Sequence, residues 1–312
     1  MPPRKGGVGG GANDTAAVVT AVLPPAGAAP VAVTAVRSPC EGPGLTCHDA
    51  DVDQHSLRTV AATRYVTPFR EGGSLPGLVE ADDLGMYVIK FRGAGQGLKA
   101  LTAEIIVGEL ARRLGFRVPE LVLVDLDPEL SRAEPDEEIQ DLLRASPGHN
   151  LGVDYLPGSF DFSPRVRDPG ADLAARLLWL DTLVLNVDRS WRNPNMLLWH
   201  RKVWLIDHGA SLIFHHRWLP GWRPAPAYRY DAADHVMMPV AGSVADADAV
   251  LRPQVTPELV REVLALVPDG WLDAGLGSPE QVRDAYAAYF AARLADAPAW
   301  VAALEETRAA RV

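Results

Sequence analysis

Cysteine is nearly absent from this 312-residue sequence: Cys40 and Cys47 are the two it has. Two thiols cannot staple a chain of this length, so a disulfide scaffold is excluded and a reducing, cytoplasmic setting fits. Their spacing with His48 is not that of a zinc knuckle, and no second ligand pair follows, so free thiols are expected. Long apolar runs are missing too. None approaches the ~20 residues a membrane span needs. The stretch after Met1-Pro2-Pro3-Arg4-Lys5 carries glycines, Asn13 and Asp14 where a signal peptide would have its apolar segment. Positive charge is in deficit: 30 Lys and Arg against 40 Asp and Glu leave a net charge of −10. Nucleic acids and anionic membranes require a basic face, so neither is expected as the main partner. Large apolar side chains are scarce in residues 1–56, which are rich in Gly, Ala, Pro and Val. Such a segment buries too little surface to offset its ordering entropy, and a mostly disordered tail is expected. No internal repeat is visible.

What is present is an ordinary globular composition, 48% hydrophobic and 22% charged, long enough for a full core. The informative stretch is Leu180 to Leu212, LDTLVLNVDRSWRNPNMLLWHRKVWLIDHGASL. A helical run closes near Asn186. Asp188 and a polar loop follow, then the apolar runs Met196 to Trp199 and Val203 to Ile206, joined by a turn at His200-Arg201-Lys202. These runs predict a hairpin that returns Asp207 beside Asp188. Carboxylate, carboxamide, carboxylate suits phosphoryl transfer. One Asp accepts the proton of an attacking hydroxyl, while an Asn and the second Asp hold the metal ion that bridges nucleotide phosphates. Asn193 stands five positions after Asp188, the kinase spacing of base and metal-binding Asn, and Asp207-His208-Gly209 occupies the place of Asp-Phe-Gly. Asn193 has the spacing, whereas Asn195 has the apolar run directly after it. Both stay open as metal ligands.

Upstream, Leu57 to Phe69 is β-rich and leads to a loop holding Gly72, Gly73 and Ser74. Without a Cβ, those glycines let backbone N–H groups approach phosphates. The strands Leu78 to Ala81 and Met86 to Phe91 follow. Alternation puts Val88 and Lys90 on one face, Ile89 and Phe91 on the other. An inward lysine is costly unless paired, so Lys90 reads as a phosphate-binding lysine. The helix Leu98 to Leu114, ended by Gly115, offers two acids to orient it. Glu104 shares a stripe with Leu101, Gly108 and Ala111, whose small members permit close approach, while Glu109 shares its stripe with Arg112 and Arg113 and can pair with them. Glu104 is chosen. A strand over Val118 to Leu126 and an acidic, solvent-facing helix and loop over Glu129 to Ala145 come next. A helix over Ala171 to Leu185 is expected to anchor Asp188, with Arg189 holding its carboxylate ionised. Residues 219–255 read as loop-rich, with Trp222 and several prolines. Helices are expected over Thr256 to Val267, Ser278 to Ala295 and Ala299 to Ala310. His215 and His216 lack a third ligand at useful spacing, and adjacent side chains point apart, so they read as packing or loop residues.

Asn186-Val187-Asp188-Arg189, Arg192-Asn193-Pro194-Asn195 and Ile206-Asp207-His208-Gly209-Ala210 resemble the HipA-like kinases, a bacterial branch of the kinase superfamily. The resemblance covers roughly Leu57 to Ile213. It implies an α+β, two-lobed protein-kinase-like fold, with a β-rich N-lobe and one main helix over residues 57–157 and a mainly helical C-lobe over 158–312. It implies ATP and Mg2+, with Asp188 as catalytic base, Lys90 on the phosphates, Glu104 orienting it, and Asn193 and Asp207 on the metal. It also places a hinge at Asp154, Tyr155 and Leu156, where backbone groups would bind the adenine edge. The implied acceptor is a Ser or Thr hydroxyl of a protein. A small-molecule hydroxyl, or a silent nucleotide-binding module, are the alternatives. The family's toxin kinase carries an extra N-terminal subdomain, which residues 1–56 cannot supply, so the resemblance is not extended to an antitoxin partner.

Overall fold

The structure, a computed structural model, describes residues 56–69, 75–95, 97–218, 222, 224, 228–272 and 274–311. All of the expected tail except Ser56, and the loop residues Gly72, Gly73 and Ser74, lie outside the described residues.

Five strands form a closed barrel. β1 (Thr59–Pro68), β2 (Gly77–Ala81) and β3 (Met86–Lys90) make an antiparallel meander. β4 (Leu121–Leu126) and β5 (Gly148–Asp154) pair antiparallel, β5 also pairs with β3, and a parallel β1–β4 contact closes the ring in the order β1-β2-β3-β5-β4. Period-two patterning fills the interior with Val79, Tyr87, Ile89, Phe91, Val122 and Val124. At Gly152 in β5 a Cβ would lie 2.5 Å from the Val124 side chain and 2.7 Å from that of Val122, so the valines of β4 occupy the space a side chain would need.

The helix α1 (Gly97–Arg113) is buried without interruption from Ala100 to Ala111, because it is covered on both sides. Its residues join a core shared with α3 (Ala171–Val184) and the C-terminal helices. The acidic segment expected to face solvent does so only in part. Its helix α2 (Glu137–Arg144) exposes Glu137 and Glu138 but packs Ile139 and Leu143, one turn apart, into the barrel core.

Beyond β5, β6 (Phe160–Asp161), β7 (Met196–Trp199) and β8 (Lys202–Leu205) form a second, three-stranded sheet. The expected hairpin is β7–β8. Its two-residue turn, His200-Arg201, has both φ values positive, 45° and 64°, the backbone that suits the twist of a tight hairpin. Residues 219–255, expected to be loop-rich, also contain a helix not expected from the sequence, α4 (Val244–Leu251). Ser243 caps it by accepting the Asp246 N–H at 3.0 Å, and Trp179 of α3 donates to Asp248 at 2.9 Å. The remaining helices are α5 (Pro257–Ala265), α6 (Pro279–Ala295) and α7 (Ala297–Ala309). Ser278 and Gln281 form a capping box at the start of α6. Among the described residues no helix is long and apolar enough to cross a membrane.

Candidate active site

Lys90 ends β3 on the side away from the barrel interior, next but one to Val88, as alternation requires. Its ammonium bonds to Glu104 of α1 and, at 2.8 Å, to Asp207. Burial alone would lower the Lys90 pKa. Attraction by Asp207 and then Glu104 outweighs that penalty and raises it above its ordinary value. For Glu104, burial pushes up, but the charge of Lys90 and the hydrogen bonds with Asp207, Lys90 and the backbone together outweigh it, so its carboxyl sits below the usual range. Asp207 keeps a raised pKa, from burial and from the neighbouring Glu104. Two carboxylates therefore share one ammonium. Glu104 Oε1 also accepts the Gly209 N–H at 2.9 Å, and a Cβ on Gly209 would sit 3.3 Å from that oxygen. Glycine after Asp207-His208 thus permits the close approach. Glu109 pairs instead with Arg112 and Arg113.

Asp188 follows α3 in the loop before β7. Its Oδ2 accepts from the Asn193 amide at 2.7 Å and the Asn195 amide at 3.2 Å. Both competing carboxamides therefore reach the same carboxylate. Burial raises the Asp188 pKa, against the two amide hydrogen bonds. The hairpin returns the chain as expected: Ile206 donates to the Asn195 carbonyl at 3.1 Å, which brings Asp207 alongside this loop.

An open cleft of about 490 Å³ adjoins these groups. Val88 and Val153 line it from the barrel, Leu197 and Ile206 from the β7–β8 hairpin, and Tyr155 and Leu156 from the segment after β5. Lys90 and Asp207 stand at its edge. Asp154 lines it as well, but its register partner is Tyr87, whose ring belongs to the barrel interior. Its carboxyl has a raised pKa through burial and the nearby Glu120.

A sequence model of the HipA-like kinase family matches residues 63–218, half of the chain. The chain belongs to that family. No curated protein sequence matches it. Among solved structures, the HipA-like kinase is similar to the Helicobacter pylori proinflammatory kinase CtkA, with TM-score 0.44 and 11% identity over 78% of this chain and 93% of that one. It is also similar to the Golgi casein kinase with Mn/ADP bound, with TM-score 0.42 and 12% identity over 77% and 73% of the two chains.

Sequence reasoning missed the buried network beneath the loop. Arg189 does not face Asp188. It is turned inward, where its Nε donates to Asp181 of α3 at 2.6 Å and its Nη1 to the Asn195 carbonyl at 2.6 Å. Neighbours in sequence need not point the same way, and Asp181, inside the apolar helix, leaves a buried charge that must be paired. Asp181 also accepts from Asn186 at 3.0 Å and contacts His235 Nε2 at 2.9 Å. Arg189 Nη2 lies 3.3 Å from His208 Nδ1. Burial, then Arg189, pushes His208 down to about 3, so it is neutral. The legible signal was an Asp amid Leu and Trp in the run from Ala171 to Leu185. His215 and His216 correct another expectation. Their Nε2 atoms meet at 3.2 Å rather than pointing apart, because Tyr286 holds the far nitrogen of His215 at 2.9 Å.

Proposed function

We propose that this HipA-like kinase is an ATP- and Mg2+-dependent phosphotransferase whose acceptor is a Ser or Thr hydroxyl of a protein. The carrying observation is a convergence from four separate elements. Lys90 of β3 and Asp207 after β8 line one apolar-walled cleft, Glu104 of α1 bonds to that lysine, and Asp188 after α3 lies near enough to Asp207 for their charges to interact. The barrel and the helical part would act as the two lobes. Val88, Val153, Leu197 and Ile206 would enclose a flat base and exclude water. The backbone from Asp154 to Leu156 would meet its polar edge. Lys90, oriented by Glu104, would place a cation on the phosphates. The loop at Gly72, Gly73 and Ser74 would cover them.

The donor set fits a hard cation. The Asn195 Oδ1 is buried without a hydrogen-bond partner. Asp207 adds a carboxylate and Asn193 a second carboxamide, all oxygen donors of the kind Mg2+ takes. Among the described residues no three His, Cys, Asp or Glu side chains gather for a metal, so such an ion would depend on carboxamide and phosphate oxygens. Bound there, Mg2+ would neutralise charge on the phosphates. Asp188 would orient the acceptor hydroxyl and take its proton.

The test is unfolding in Mg·ATP. A ligand at about 100 times its Kd adds roughly 2.7 kcal/mol to the native state, so the midpoint should rise by roughly 5–10 °C. Phosphate transfer should be present in the wild type and absent in Asp207→Asn. A folded protein with no shift at saturating nucleotide would refute the reading.

A further inference from the structure

The loop that carries Asp188 also carries Trp191, which is 46% exposed, whereas the other tryptophans among the described residues are buried or half-buried. Two arginines flank its ring. The Arg192 guanidinium carbon lies 4.5 Å from the ring centroid, and that of Arg165, from the segment leading into α3, lies 5.0 Å away. Both arginines are exposed, and among the described residues the contact each guanidinium makes is with this ring rather than with an acid. Elsewhere arginines meet acids readily, as Arg58, Arg64 and Arg113 do. With a net charge of −10, carboxylates are plentiful, yet among the described residues none sits on this pair. Two like charges on one ring repel each other, and an exposed cation–π contact offsets only about 0.5–1 kcal/mol.

We propose that Trp191, Arg165 and Arg192 dock an acidic segment of the protein substrate, placing a Ser or Thr flanked by Asp or Glu at Asp188. The proposal rests on the kinase reading above and specifies its substrate class. Guanidinium forks match carboxylates and gain charge-assisted hydrogen bonds. The indole gives the aliphatic part of a Glu side chain an apolar ledge. Its place in the loop, between Asp188 and Asn193, sets the contact beside the acceptor position. Single-stranded nucleic acid could also stack on an exposed indole, but the net charge of the chain opposes a polyanion with its phosphate at every step.

The experiment uses the full chain and two labelled peptides, each with one Ser, flanked by Glu in one and by Lys in the other. Anisotropy at low salt should give at least about tenfold tighter binding of the Glu peptide, weakened by high salt. Arg165→Glu/Arg192→Glu should erase that preference, and Trp191→Ala should weaken binding of the Glu peptide, with the Mg·ATP midpoint shift unchanged in both. As acceptors, the Glu peptide should show a raised KM and a maintained kcat in the charge-reversal variant. Equal binding of the two peptides, or a preference that survives charge reversal, would overturn the proposal. So would arginine-dependent binding of a single-stranded RNA together with no binding of the Glu peptide. Because anisotropy needs no turnover, absence of a Mg·ATP shift would sink the kinase reading while leaving the surface decided.

Discussion

Asp181→Ala isolates the charge beneath the loop. Arg189 has a side chain with no exposed area, and so has Asp181. Burial alone would raise the Asp181 carboxyl, but Arg189 and then the hydrogen bond with His235 outweigh it and hold it below its ordinary range. A depressed carboxyl contributes its stability above the unfolded pKa and loses it as pH falls, so the effect is fully present in neutral buffer. Removing the carboxylate leaves a guanidinium in the core with two carbonyls and a neutral imidazole, and strips acceptors from Asn186 and His235. Breaking a buried pair this way costs about 3–5 kcal/mol, a large share of the roughly 5–15 kcal/mol that holds a domain together. Urea unfolding should show a lower midpoint with an unchanged slope. Removing both charges, Asp181→Leu with Arg189→Met, should cost less than the sum of the singles, because the penalty belongs to the orphaned charge. A loss below about 1 kcal/mol for Asp181→Ala, or strict additivity in the cycle, would refute the reasoning.

Three further outcomes are expected. Asn193→Ala and Asn195→Ala should both raise the Mg2+ requirement for transfer, and the larger rise, read by titration of activity, identifies the ligand. A larger effect at Asn195 would match its unpartnered, buried Oδ1. Asp188→Ala should leave ATP affinity nearly intact and lower kcat by about 10²-fold or more; unchanged transfer would remove Asp188 from the chemistry. His208 and His215, pushed by burial to about 3 and about 2, are neutral in the fold but titrate near 6.5 when unfolded. Their stabilisation is present above about pH 6.5 and is lost as pH falls, by roughly 2 kcal/mol each at pH 5. Urea midpoints that stay level between pH 7.5 and 5 would contradict this.

Much of the site was legible because it depends on local periodicity. The two-residue repeat of β3 put Lys90 on the face of Val88, and Lys90 and Val88 both line the cleft. The helical repeat separated Glu104 from Glu109, since arginines three and four positions on claim the latter. The hairpin could be read from two apolar runs and a turn. What stayed hidden depends on direction in three dimensions. Arg189 looked like a partner for Asp188, but Asp181, the buried acid in the last turn of α3 and eight positions back, takes it. Short α4 hid because Ala, Val and Asp resemble a loop, and its Ser243 cap is a weak signal alone. His235, far along the chain, gave no hint that it would reach Asp181.

Asn195 and Asp207 flank the β7–β8 hairpin with φ values of 50° and 55°. Asn and Asp tolerate the left-handed backbone better than other residues bearing a Cβ, so chain reversal alone could explain both identities. It could also explain why Arg189 and Ile206 hold the Asn195 carbonyl, since a strained residue persists only when its surroundings over-determine it. A turn does not, however, call for a lysine from a different sheet. Lys90 and Glu104 have side chains only 11% and 3% exposed, and desolvating an ion pair there costs several kcal/mol per charge before attraction repays it. Apolar residues would close the same space at no such cost. Nor does a turn call for two carboxamides on one Asp188 oxygen with a carboxamide oxygen left unsatisfied beside them. Burying an unpartnered acceptor is unfavourable by about 1–3 kcal/mol. Those penalties fall on the residues that line or adjoin the cleft, where a cation and a polyphosphate would satisfy them together.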